Sequence, residues 1–151
     1  MTGSITHSLV KALKGVRGFD LLEGEDLLCI VGASVNLRWP QGSHVFRKGS
    51  PGEALYVVLS GEVRIYDEID GQEVEIARTG PGKYFGEMSL LSKTTHTKNV
   101  QATEDSELLV IIREEFQEML ESNTDLAEHI HQTFQDRRAK TESKYQTEAA
   151  S

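Results

Sequence analysis

From Ser34 to Thr79 the chain alternates apolar with polar residues and is cut into short lengths by glycine turns. A period of two fits strands with one buried face and excludes a helical bundle over this stretch. Val35, Leu37 and Trp39 alternate before Pro40-Gln41-Gly42 turns the chain. His44-Val45-Phe46 resumes it, and Gly49-Ser50-Pro51-Gly52 turns it again. Leu55 to Leu59 reads as a buried strand, Ser60-Gly61 as a turn, and Val63, Ile65 and Tyr66 as the next strand. Asp70-Gly71 is a two-residue hairpin signal, followed by Val74, Ile76 and Ala77. Short strands at about eight- to twelve-residue spacing predict an antiparallel sandwich or barrel. Val100 to Ala102 and Leu108 to Ile112 supply the last strands, with Asp105-Ser106 turning between them. Eight strands in two sheets would be a jelly roll.

Helical spacing flanks this region. Leu9, Val10, Leu13 and Val16 make one apolar stripe that Ser4 or Thr6 could cap, with Met1 to Ser4 read as frayed. A second helix is predicted over Glu25 to Ala33, with acidic residues in its first turn. Cys29 lies in the apolar run Leu27 to Val31 and is read as a buried, inert thiol. After the strands, Phe116, Met119 and Leu120 mark a helix that Ser122-Asn123-Thr124 breaks. Leu126, Ile130 and Phe134 then recur every four residues. By itself that stripe reads as packing on the barrel.

Between the two sets of strands lies Gly80 to Ala102, reading G-P-G-K-Y-F-G-E-M-S-L-L-S-K-T-T-H-T-K-N-V-Q-A. Gly80-Pro81-Gly82 makes a tight turn. A glycine ahead of a short helical turn lets backbone N–H groups approach an anion such as phosphate. Glu87 beside an anion makes sense when the ligand also carries hydroxyls to donate to it. A sugar phosphate has both groups. On spacing alone such a turn more often simply turns.

Phe85-Gly86-Glu87-x-x-Leu90-Leu91, a polar loop and Asn99-Val100-Gln101-Ala102 resemble the phosphate-binding cassette of cyclic nucleotide-binding domains. The resemblance extends upstream to Phe46-x-x-Gly49-x-x-Gly52-Glu53-x-Leu55-Tyr56-Val57-Val58-x-x-Gly61-x-Val63. It implies a mainly β fold, an antiparallel jelly roll (a double-stranded β-helix, or cupin-like barrel) with N- and C-terminal helices. It implies an N-terminal helical segment at 1–18, the domain with its closing helix at 19–136, and a polar tail at 137–151. The family pattern places a phosphate-pairing arginine nine residues after the glutamate and four before the valine; both counts land on His96. Arginine is a permanently charged fork, whereas histidine is mostly neutral near pH 7. Lys98 also stands where the family prefers a small residue. The resemblance implies a ligand site of Phe85, Gly86, Glu87, Met88, Leu90, His96, Thr97 and Lys98. Gly86 and nearby backbone amides, that of Leu90 among them, would meet the phosphate, Glu87 the ribose 2′-hydroxyl, and Thr97 stands where some members carry a guanine-favouring hydroxyl.

Other chemistry finds less support. The balance of 16 Lys and Arg against 24 Asp and Glu, a net −8, gives no general attraction to DNA, RNA or anionic membrane. Only Gln135 to Ser151 follow the closing helix, too few for a DNA-reading helix-turn-helix, so no DNA partner is expected. One cysteine, no apolar run of about 18 residues and no signal-peptide form predict a cytoplasmic chain without a membrane partner. His129 and His131 face different sides of a helix, and His44 and His96 lack the H-x-H of a cupin, so no metal is expected. No nucleophile motif or paired acids argue for an enzyme or cofactor. Asp67, Glu68 and Asp70 are read as solvated hairpin charges. The expectation is a non-catalytic sensor of cAMP or cGMP that repacks its helices to signal to a separate protein effector, with a homodimer through the C-terminal helix as a further expectation. The alternative is a domain that kept the scaffold, lost the ligand and works as a protein-interaction or dimerisation surface.

Overall fold

The alternating segments form eight strands in two four-stranded antiparallel sheets. They are β1 (Val35–Trp39), β2 (His44–Phe46), β3 (Ala54–Ser60), β4 (Val63–Ile69), β5 (Gln72–Thr79), β6 (Tyr84–Phe85), β7 (Asn99–Ala102) and β8 (Ser106–Ile112). One sheet runs β1-β8-β3-β6 and the other β2-β7-β4-β5. Chain neighbours β1 and β2, β3 and β4, β5 and β6, and β7 and β8 lie in different sheets, while β4 and β5 close a hairpin within one, the jelly-roll path. The computed structural model describes residues 2–16, 19–87, 90, 94–132, 135–136 and 139.

The β4–β5 hairpin turns at Asp70 (φ +54°) and Gly71 (φ +79°), the two left-handed positions that such a turn requires. The run Leu55 to Leu59 is apolar throughout because β3 is buried on both faces. Leu55 and Val57 face the helices with Leu109 and Ile111, while Val58 faces the second sheet with Val63, Phe85, Val100 and Leu108. Burying one such side chain is worth roughly 1.5–3 kcal/mol, so this strand anchors both cores.

The helices cover the first sheet. Helix α1 (Thr2–Lys14) packs on α2 (Gly24–Gly32), and α3 (Arg113–Ser122) follows β8 directly. A fourth helix, α4, spans 124–132. Leu13, Val16, Phe19, Leu27, Ile30, Phe116, Met119, Leu126 and Ile130 join one buried cluster with β3 and β8. Leu126 and Ile130 therefore pack on the sheet; Phe134 and most of the tail lie outside the described residues.

Three local expectations need correcting. Helix α1 already begins at Thr2, so Ser4 and Thr6 lie within it rather than at its cap. Helix α2 runs one residue earlier than its acidic residues suggested. Cys29 is exposed. Leu27, Ile30 and Val31 take the inward face of α2, and a residue two positions from Leu27 and Val31 points away from both. Leu28 shares that outward side and is 50% exposed.

Candidate ligand-binding site

The glycine turn before β6 is tied to β3 by backbone hydrogen bonds from Gly82 N to Val58 O and from Val58 N to Lys83 O. That clasp sets β6 beside Tyr56 and Val57. The Phe85 ring stacks on Tyr56, centroids 5.2 Å apart and planes 9° from parallel. Gly86 follows at φ +94°, and a Cβ there would sit 3.1 Å from Ala54 O and 3.1 Å from Tyr56 Cδ2. Both the backbone angle and the close approach require glycine.

Glu87 comes next and is 1% exposed. Leu90 is buried among the helix-facing residues, so its side chain belongs to the core rather than to a ligand surface. Met88 and residues 89 and 91–93 lie outside the described residues.

The far limb of the cassette is held by main chain. His96 N donates to Ser50 O and Gly49 N donates to His96 O, each at 2.8 Å, and Pro51 bridges to Thr95. The His96 ring lies flat on Phe46, centroids 3.5 Å apart and planes 6° from parallel. It is 3% exposed, and burial pushes its pKa down from 6.5 to about 4. At pH 7 position 96 therefore holds a neutral ring. Phe46 also lies 6.0 Å from Phe85 and 5.7 Å from Tyr56, so one aromatic group floors both limbs.

Thr97 is exposed and Lys98 is partly buried. Lys98 Nζ lies 3.3 Å from Thr97 O, 3.4 Å from Thr97 Oγ1 and 4.0 Å from Asp67 Oδ2. Burial lowers the Lys98 pKa, Asp67 opposes that, and Lys48 adds to it. Asp67 corrects the sequence reading: it is 5% exposed, not a solvated hairpin charge. It extends the inward alternation Val63, Ile65, Asp67 of β4, and its Oδ1 takes a hydrogen bond from Lys48 Nζ at 3.2 Å. Alternation was the signal that could have found it. Lys48 carried none, since it lies in a turn and reaches Asp67 only through the fold.

Of the expected site residues, Phe85, Gly86, Glu87, His96, Thr97 and Lys98 lie in the two limbs beside β6 and β7, and Leu90 puts its side chain in the core, its expected phosphate contact being the backbone amide. The two sheets and their flanking helices make this a jelly-roll domain, with a left-handed glycine, a buried carboxylate and an aromatic floor in its cassette. The model of the cyclic nucleotide-binding domain matches residues 36–123, and the chain belongs to that family.

Its relatives are regulatory proteins. The chain is 46% identical over 79 residues to the cyclic AMP receptor protein of Thermus thermophilus, a match covering 52% of this chain and 37% of that protein. Among solved structures, the sensor domain of the transcriptional regulator DNR from Pseudomonas aeruginosa superposes with a TM-score of 0.80 at 26% identity, covering 88% of this chain and 90% of that one. The Thermus thermophilus catabolite activator protein superposes with a TM-score of 0.73 at 33% identity, covering 88% and 62%. The chain thus spans little more than a third of the first of these relatives, the receptor protein.

Proposed function

We propose that this chain is a non-catalytic sensor domain that binds cAMP or cGMP and passes the occupied state to a separate protein by repacking its helices. The observation that carries it is the Gly86-Glu87 pair: a glycine held at φ +94° followed by a carboxylate that is 1% exposed. A carboxylate withdrawn from water suits hydroxyl donors, and a ribose 2′-hydroxyl would give it a charge-assisted hydrogen bond. The Gly86 amide and the amides after it would meet the phosphate. Coupling to the helices has a physical route, because Leu90 of the cassette shares its buried cluster with Phe116, Leu126 and Ile130. A shift of the cassette would therefore disturb the packing of α3 and α4.

A second reading has its own observation. His96 is neutral and stacked where the family pattern calls for a charged fork. Loss of a buried charge pair costs on the order of 2–5 kcal/mol, enough to empty a micromolar site. The domain would then act through a protein surface or as a dimer.

Calorimetric titration with cAMP and cGMP, of the wild type and of His96→Arg, separates the two. Saturable binding by the wild type supports the sensor. Binding by His96→Arg alone supports a pocket that lost its ligand, and silence from both rejects the cyclic nucleotide altogether.

A further inference from the structure

The edges of the two sheets are not alike. Strand β6 is two residues long and buried, and β2 is three residues long with a register shift between His44 and Phe46. Strand β5 carries Glu73, Glu75 and Arg78 and runs beside an irregularity between Ile65 and Tyr66 of β4. Short length, broken register and charge all keep an edge from pairing with a further strand. Strand β1 is five residues long and keeps an unbroken register with β8, from Val35 opposite Val110 to Trp39 opposite Ser106. Among the described residues it pairs with no other strand.

The apolar face of β1 is uncovered too. Leu37 stands opposite Leu108, which is buried between the sheets, so Val35 and Leu37 point to that same side. They nevertheless remain 48% and 44% exposed, because the second sheet ends before it reaches them. On the other face Asn36 Nδ2 donates to Glu107 Oε1 at 2.8 Å. Arg38 lies 3.9 Å from Glu107 Oε2, beyond hydrogen-bond range, with 87% of its side chain in solvent.

We propose that β1 is an edge for self-association, on which two copies of this chain pair their β1 strands antiparallel about a twofold axis at Leu37. In that register Leu37 meets the partner's Leu37, Val35 meets the partner's Trp39, and Asn36 meets the partner's Arg38. The exposed valines and leucines then cover one another on one face. On the other, each Arg38 arrives beside the asparagine that holds the opposite copy's carboxylate, and gains a charge-assisted contact to it. The twofold axis makes every such contact twice. Arg38 thus acts as a selector: it opposes a strand that brings no acid and admits this one. Pairing there needs neither the cassette nor a ligand.

The test is sedimentation equilibrium of the whole chain from about 1 μM to about 1 mM. About 0.15 M salt screens the net −8 of each copy beyond roughly 8 Å. Hydrogen exchange follows residues 35–39, and melting curves report folding. The wild type should dimerise weakly, as suits a small interface, and its β1 amides should exchange more slowly at the higher concentration. Leu37→Lys sets like charges opposite each other at the axis and should weaken dimerisation about tenfold or more. Arg38→Glu and Glu107→Arg should each stay monomeric alone and dimerise when mixed, because only the mixture restores opposite charges across the axis. A wild type that stays monomeric overturns the proposal and leaves this edge to a strand of another protein. A dimer equally strong in Leu37→Lys overturns it as well and puts the contact elsewhere on the chain. Failure of Arg38→Glu and Glu107→Arg to complement each other overturns the register.

Discussion

A stability profile between pH 7 and pH 5 tests whether His96 is the buried neutral ring that the structure describes. Its folded pKa is about 4 against 6.5 for the exposed side chain. Between those values the unfolded chain takes up a proton that the folded chain refuses, so acid favours unfolding. The stabilisation is complete above about pH 6.5 and drains away as pH falls toward 4. The whole separation is worth about 3 kcal/mol, of which about 2 kcal/mol is lost between pH 7 and pH 5. His44 is shifted down as well, by burial first and then by Arg47 and Arg64, and it adds to the loss in every variant. Comparison with His96→Phe removes these shared contributions, because phenylalanine keeps a flat ring on Phe46 but does not titrate. Urea unfolding at both pH values measures the difference. The wild type should lose about 2 kcal/mol more than His96→Phe between pH 7 and pH 5. Equal losses, within about 0.5 kcal/mol, would refute the burial argument.

Three further outcomes follow from the same geometry. Gly86→Ala forces a side chain into φ +94° and against Ala54 O, and should cost about 1–3 kcal/mol in urea unfolding; a change under 0.5 kcal/mol or so would mean that the turn relaxes freely. Glu87→Gln should weaken cAMP binding by roughly tenfold or more while sparing a 2′-deoxy analogue, since it weakens the hydroxyl contact alone. Cys29, on the outward side of α2, should take one equivalent of a thiol reagent in native buffer; labelling only in denaturant would contradict its exposure.

The sequence carried the sheet framework because its signals are local. Alternation, the Asp70-Gly71 turn and the apolar run of β3 each operate within a few residues, and all reappear as strands and a hairpin. Burial of particular side chains was less accessible. In Leu27 to Val31 every residue is apolar, so composition hid which face of α2 turns outward. Asp67 stands beside Glu68 and near Asp70 and resembles a solvated charge until Lys48 and Lys98 arrive from elsewhere in the chain. The depressed pKa of His96 likewise depends on burial that no neighbour in sequence announces.

The clasp on His96 is made entirely by peptide groups, through Ser50 O and Gly49 N. Main-chain bonds do not depend on which side chain the residue carries, so the path of the cassette is separable from what it recognises. The loop 47–51 therefore steers the strand into β7 through bonds that any residue except proline could make at position 96. The ring is a separate matter: it is buried against Phe46, so a charged replacement would keep the steering and carry the cost of withdrawing its charge from water. A substitution there is decided by what surrounds the side chain, while the path of the loop stays in place.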